Sequence, residues 1–121
     1  MSDLYLVRHG QTELNVRNIL QGWQDSPLTE CGREQALATR AAFEARGISF
    51  DHAYSSPLGR ARHTAELIVG EDLPIEPVDD LREWRLGTLE GTSNRDMPPQ
   101  PWGDYPVAFG GESEGELRAR M

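Results

Sequence analysis

The 121-residue chain has no lysine, one cysteine, and no apolar run near the roughly 20 residues that a membrane span needs. Each shortage removes a class of protein. A single thiol, Cys31, closes no internal disulfide and supplies no thiolate cluster for a metal. The amino terminus lacks the basic stretch and apolar core of a secretory signal, so a cytoplasmic protein without a membrane partner is expected. Positive charge is also scarce: 12 arginines face 20 aspartates and glutamates, a net charge of −8. That balance leaves no broad basic face, and nucleic acid is not an expected partner. A chain of this length buries roughly two-thirds of its unfolded surface. Residues 1–121 are therefore expected to form a single domain with a modest core.

Strand and helix signals alternate along the chain. Leu4 to Val7 is an apolar run that reads as a short buried strand, followed by the helix-like "TELNVRNI" and a turn-rich stretch, "LQGWQDSPLTECG". Thr29 can cap a helix running to about Arg46, with Ala36, Leu37, Ala41 and Ala45 as its apolar stripe and Gly47 as its stop. "ISFDHAYSS" reads as a second strand. In "SSPLGRARHTAELIVG", Ser56 stands at the cap, Pro57 at the first helical position and Gly70 just past the end. "IEPVDDL" is a candidate third strand, and "TSNRDMPPQPWGDYPVAFGG" reads as irregular. Strands and helices in this order imply an α/β fold with a mostly parallel sheet and right-handed crossovers.

In such sheets ligands bind beyond the carboxyl ends of the strands. Two candidate strands end there in polar groups: the first in Arg8 and His9, the second in Ser55 and Ser56 just ahead of Arg60. Arginines from two strand-to-helix turns, with free backbone N–H groups where those helices begin, would make a site for an anion, and a phosphoryl group is the natural one. A neutral His9 imidazole beside such arginines could attack phosphorus, and the arginines would stabilise the charge on the transferring group. The plainer alternative is that Arg-His-Gly is a chance tripeptide and His9 a satisfied turn residue. Most of the arginines are equally well explained by coding bias.

Four blocks in order, "LVRHGQTELN", "LQGWQDSPLTECG", "YSSPLGRARHTA" and "LREWRLGTLEG", closely resemble the histidine phosphatase superfamily, the phosphoglycerate mutase-like proteins. They cover roughly residues 4 to 91. The resemblance implies a three-layer α/β/α fold with a mostly parallel sheet, and a histidine that is transiently phosphorylated, here His9. By the same resemblance Arg8 is the arginine of the Arg-His-Gly motif. Asn15 helps bind the phosphoryl group, Gln21 and Gly22 lie in the substrate-contacting segment, Arg60 belongs to the phosphate pocket, and Glu83 donates the proton to the leaving oxygen. Periodicity alone would turn Arg60 toward solvent, opposite a face of Leu58, Ala61, Ala65, Ile68 and Val69; the resemblance turns it toward a ligand over the helix end. His63 is expected at the surface, His52 in a structural role, and Trp23 and Trp84 as packing residues.

The pattern departs from the family at its C-terminal end, where a second histidine in a strand followed by a His-Gly turn has no counterpart. "GGESEGELRARM" reads as a helix capped by Ser113 with Glu116 completing a capping box. The expectation is therefore the N-terminal portion of the family fold, lacking C-terminal elements, with an exposed strand edge that invites a homodimer or a strand-exchanged oligomer. The link from Gly91 to "GGES" is short, which favours a phosphatase of small phosphorylated molecules. A phosphoglycerate mutase and an inactive phosphate-binding module are the alternatives. No acidic or histidine cluster has metal-ligand spacing, so neither a metal nor another cofactor is expected.

Overall fold

The computed structural model describes residues 2–121. Its elements run α1 (Glu13–Val16), α2 (Glu30–Ala45), β1 (Ala53–Ser55), α3 (Gly59–Val69), β2 (Ile75–Pro77) and α4 (Glu114–Arg120), with short 3-10 turns between β2 and α4. β1 and β2 pair in parallel, Ala53 opposite Ile75 and Ser55 opposite Pro77, with α3 as their crossover. Helices α2 and α3 pack on each other, and α3 also packs on both strands. The fold is α/β.

Local chemistry explains where the helices begin and end. Thr12 and Asn15 form a reciprocal capping box around α1, and Ser113 and Glu116 do the same for α4. The Thr29 side chain accepts the Gly32 N–H at the start of α2, and Gly47, at φ +67°, follows its end. Helix α3 starts two residues later than its sequence suggests. Ser56 Oγ accepts the Leu58 N–H in a tight turn instead of capping the helix, and Leu58 is the cap residue with no side-chain bond. A carboxylate from elsewhere takes over: Asp25 Oδ1 accepts the Arg60 N–H.

The first expected strand does not form. Among the described residues, no backbone–backbone hydrogen bond involves positions 2–9. Leu4 and Leu6 are 82% and 87% exposed, so the apolar run is absent from the core. A strand needs a neighbour to pair with along at least one edge, and among the described residues none pairs with this segment. Only Tyr5 is anchored, edge-on to Phe43 and Phe50 at 5.4 and 5.6 Å. The core comprises Leu28, Ala36, Ile68, Leu86 and Leu89. The expected stripe on α2 is only partly right, since Ala36 is buried while Leu37, Ala41 and Ala45 are exposed. The inward face runs instead through Gly32 and Ala36, because α2 lies almost against the chain at Gly10 and Gln11. A Cβ on Gly10 would strike the Gly32 carbonyl, and one on Gly32 would strike the Gln11 carbonyl. Gly10 thus serves close packing against a helix, and its φ is not in the left-handed region.

Candidate active site

His9 stands at the end of the extended N-terminal segment, half-buried, where the backbone turns toward α2. Its Nδ1 lies 2.7 Å from the Gly10 carbonyl oxygen. A carbonyl can only accept, so Nδ1 carries the hydrogen and Nε2 holds the lone pair. Gly10 is fixed in turn: its N–H donates to Thr64 Oγ1 at 3.0 Å, and the Thr64 hydroxyl donates to the Arg60 carbonyl at 2.7 Å. The ring is therefore tied through one residue, Gly10, to the first turns of α3.

Burial is the largest influence on His9 and holds its pKa below the ordinary 6.5. The hydrogen bond to Gly10 works against burial, the positive charges of Arg60 and Arg8 add to it, and Glu83 opposes it. Arg60, Arg8 and Glu83 are thus the charged side chains whose fields reach this imidazole. The ring is expected to titrate below pH 6.5 when its C2–H resonance is followed by NMR. Arg8→Ala should raise the midpoint and Glu83→Gln should lower it; a native midpoint at or above 6.5 would contradict the arrangement. As pH falls through 6.5 the unfolded chain takes up this proton first. His9 thus works against the folded state below that pH and is neutral to stability above it.

Arg60 is 2% exposed, contrary to the expectation from periodicity. The buried row on α3 is Arg60, Thr64 and Ile68, one residue per helical turn, so the inward face includes both polar groups. The reason lies in the turn that α3 abuts. The Arg60 guanidinium donates to the Gly22 carbonyl at 2.7 Å, to the Gln24 carbonyl and to Asp25 Oδ1 at 3.2 Å. Gly22, at φ +55°, adopts a backbone that glycine tolerates, and a Cβ there would meet the Glu90 carboxylate. Gln21 is buried, its Oε1 accepting from the Ser26 hydroxyl at 2.8 Å.

Asn15 Oδ1 accepts the Thr12 N–H at 3.0 Å, which directs the oxygen into the cap of α1 and leaves the amide hydrogens without a protein partner among the described residues. Arg8 is exposed and likewise unpaired among them. Glu83 is exposed, and its Oε1 accepts the Trp84 N–H at 2.9 Å. At α1 the free amides expected from sequence are taken: the N–H groups of Thr12, Glu13, Leu14 and Asn15 go to Asn15, Pro27, Ser26 and Thr12. At α3 Asp25 takes the Arg60 N–H, while the Gly59 N–H has no acceptor among the described residues. Arg8 and Arg60 add positive charge near His9.

The tryptophans do more than pack. Trp23 Nε1 donates to the Glu83 carbonyl at 2.8 Å, and the Arg82 and Arg85 guanidiniums lie 4.6 and 5.4 Å from its ring centre. Trp84 Nε1 donates to the Glu112 carbonyl. His63 is half-buried beside Asp25 and Ser26, and His52 is exposed, stacked on Tyr54. Sequence reasoning missed Thr64, Asp25, Glu112 and Arg120. Of these only Thr64 left a signal, lying one helical turn after Arg60. Among the described residues no group of three or more histidine, cysteine or acidic side chains could hold a metal ion, and no helix is long and apolar enough to cross a membrane.

Comparison with known proteins places this geometry in a family. Residues 4–121 match the model of the histidine phosphatase superfamily, branch 1. A 2,3-bisphosphoglycerate-dependent phosphoglycerate mutase of Beijerinckia indica is 43% identical over 98% of this chain and 63% of its own length. Among solved structures, YhfR of Bacillus stearothermophilus superposes with a TM-score of 0.76 at 36% identity, covering 93% of this chain and 60% of that one. A phosphoserine phosphatase of Entamoeba histolytica, solved with 3-phosphoglyceric acid, has a TM-score of 0.66 at 34% identity, covering 77% of this chain and 45% of that one. The chain thus spans less than two-thirds of the length of these relatives. Its matched residues and its fold agree: the chain belongs to the histidine phosphatase superfamily.

Proposed function

We propose that the chain hydrolyses small-molecule phosphomonoesters through a phosphohistidine at His9, within a unit that corresponds to the N-terminal portion of the family fold. The observation that carries this reading is the His9 ring itself, its Nδ1–H held by the Gly10 carbonyl and its proton affinity lowered by burial and two arginines. In the first step the Nε2 lone pair attacks phosphorus and the P–O bond to the leaving group breaks. Glu83 gives its proton to the departing oxygen. Water then adds to phosphorus as the N–P bond breaks, Glu83 takes a proton from that water, and His9 regains its neutral ring. Arg8 and Arg60 offset the charge on the phosphoryl oxygens in both steps. Asn15 would add its free amide hydrogens to that oxygen cluster. Gln21 and Gly22 would line the substrate side through the turn that Arg60 holds.

A second reading is supported by the mutase relative. A mutase would pass the phosphoryl group from His9 to another hydroxyl rather than to water. The two are separated by incubating the chain with p-nitrophenyl phosphate, and separately with 3-phosphoglycerate with and without 2,3-bisphosphoglycerate. Release of p-nitrophenolate and phosphate without the bisphosphate primer is the expected result. Primer-dependent interconversion of phosphoglycerates without net phosphate release would assign a mutase. Phosphate binding with neither reaction would assign a binding module.

A further inference from the structure

Glu83 is held from a distance. The segment on both sides of it is gathered by one guanidinium: Arg120 Nη1 donates to the Asp80 and Arg82 carbonyls at 2.7 and 2.8 Å, and Nη2 to the Glu83 carbonyl at 2.8 Å. The same side chain pairs with Glu112, Nη2 to Oε1 at 2.6 Å and Nε to both carboxylate oxygens. Glu112 then reaches the other flank. Its Oε1 accepts the Arg85 N–H, its own N–H donates to the Arg85 carbonyl, and its carbonyl accepts Trp84 Nε1. The pair is nearly dry, with side chains 7% and 16% exposed. By contrast the Glu83 carboxylate has, among the described residues, only the adjoining Trp84 N–H to steady it. Its aim depends on the backbone beneath it.

We infer that Arg120 and Glu112 are positioning residues that fix the Glu83 backbone so that its carboxyl faces His9. This rests on the reading of Glu83 as the proton donor. Neither residue touches the reacting atoms in this scheme; both act through the 80–85 segment. Misplacing a catalytic group by about 1 Å can cost on the order of a hundredfold. Help from a general acid matters most when the leaving oxygen is strongly basic. An alkoxide needs the proton, and a nitrophenolate leaves almost without it.

The test measures kcat/KM, which reports only the steps through release of the leaving group, for the 121-residue chain and its variants on β-glycerophosphate and on p-nitrophenyl phosphate. Arg120→Ala should lower kcat/KM on the alkyl ester about 30-fold and on the aryl ester no more than about threefold. Arg120→Lys, which keeps the charge and part of the hydrogen bonding, should recover part of the alkyl activity. An equal fall on both esters would overturn the proposal, because a merely structural role lowers the folded fraction for every substrate alike. Glu83→Gln is the control. If it too falls equally on both esters, or if the parent chain cleaves neither, the reading of Glu83 fails and this one with it. If Glu83→Gln is selective and Arg120→Ala is not, only the positioning role fails. Should Arg120→Ala not fold by circular dichroism, Glu112→Gln, which keeps the side-chain volume, is judged by the same ratio.

Discussion

His9→Ala should eliminate hydrolysis of p-nitrophenyl phosphate, a fall of at least about a thousandfold, while leaving the fold in place. The two halves of that expectation have separate physical grounds. Among the described residues the only hydrogen bond of the ring is to the carbonyl of the next residue, so its loss frees no distant segment. The variant should therefore unfold within about 1 kcal/mol of the parent. Chemically, nothing nearby replaces the lone pair. Among the described residues, the remaining imidazoles belong to His52, exposed just ahead of β1, and His63, beside Asp25 and Ser26 on a different pocket. Brief incubation of the parent with labelled substrate, quenched in alkali, should trap an alkali-stable and acid-labile phosphoprotein, and His9→Ala should trap none. A variant keeping more than a tenth of the parent rate would remove His9 from the chemistry.

The capped elements were the most legible in the sequence. Thr29, Ser113 with Glu116, Gly47 and Gly70 act through bonds within a few residues, and all stand where their local chemistry puts them. Ser56 did not cap its helix because Asp25, 35 positions before Arg60 in the chain, supplied the acceptor. The same non-local reason governs the N-terminal run. Four apolar residues specify a segment that would be buried between strands, but burial of that kind needs neighbouring strands, and among the described residues none pairs with Leu4 to Val7. Arg60 reads as exposed by periodicity because a helical wheel assumes an apolar neighbour, whereas α3 faces a turn whose carbonyls take a guanidinium. Family resemblance named Glu83, but nothing local pointed to Arg120, whose contacts span about 40 residues.

Arg60→Ala is expected to damage stability and chemistry together, and comparison with Arg60→Lys separates the two. The guanidinium satisfies the Gly22 and Gln24 carbonyls from a side chain that is 2% exposed, so truncation leaves a buried acceptor at Gly22 and a part-buried one at Gln24 unpaired. Each such group costs about 1–3 kcal/mol. The Asp25 contact adds less, because that carboxylate is 35% exposed and water screens it. A loss of about 2–4 kcal/mol is expected, read as a fall in the urea midpoint at unchanged slope. Arg60 is also one of the charges that lowers the His9 pKa, so its removal should shift the midpoint of His9 upward. On the proposed reaction, loss of this phosphate clamp should lower kcat/KM by about two to three orders of magnitude. Lysine supplies a point charge without the planar fork. Arg60→Lys should therefore return the His9 midpoint toward the parent value and leave most of the stability loss, since one ammonium cannot span carbonyls at both Gly22 and Gln24. If lysine restored the urea midpoint as well, charge alone would be holding the 22–25 turn, and the fork geometry would not be what buries Arg60.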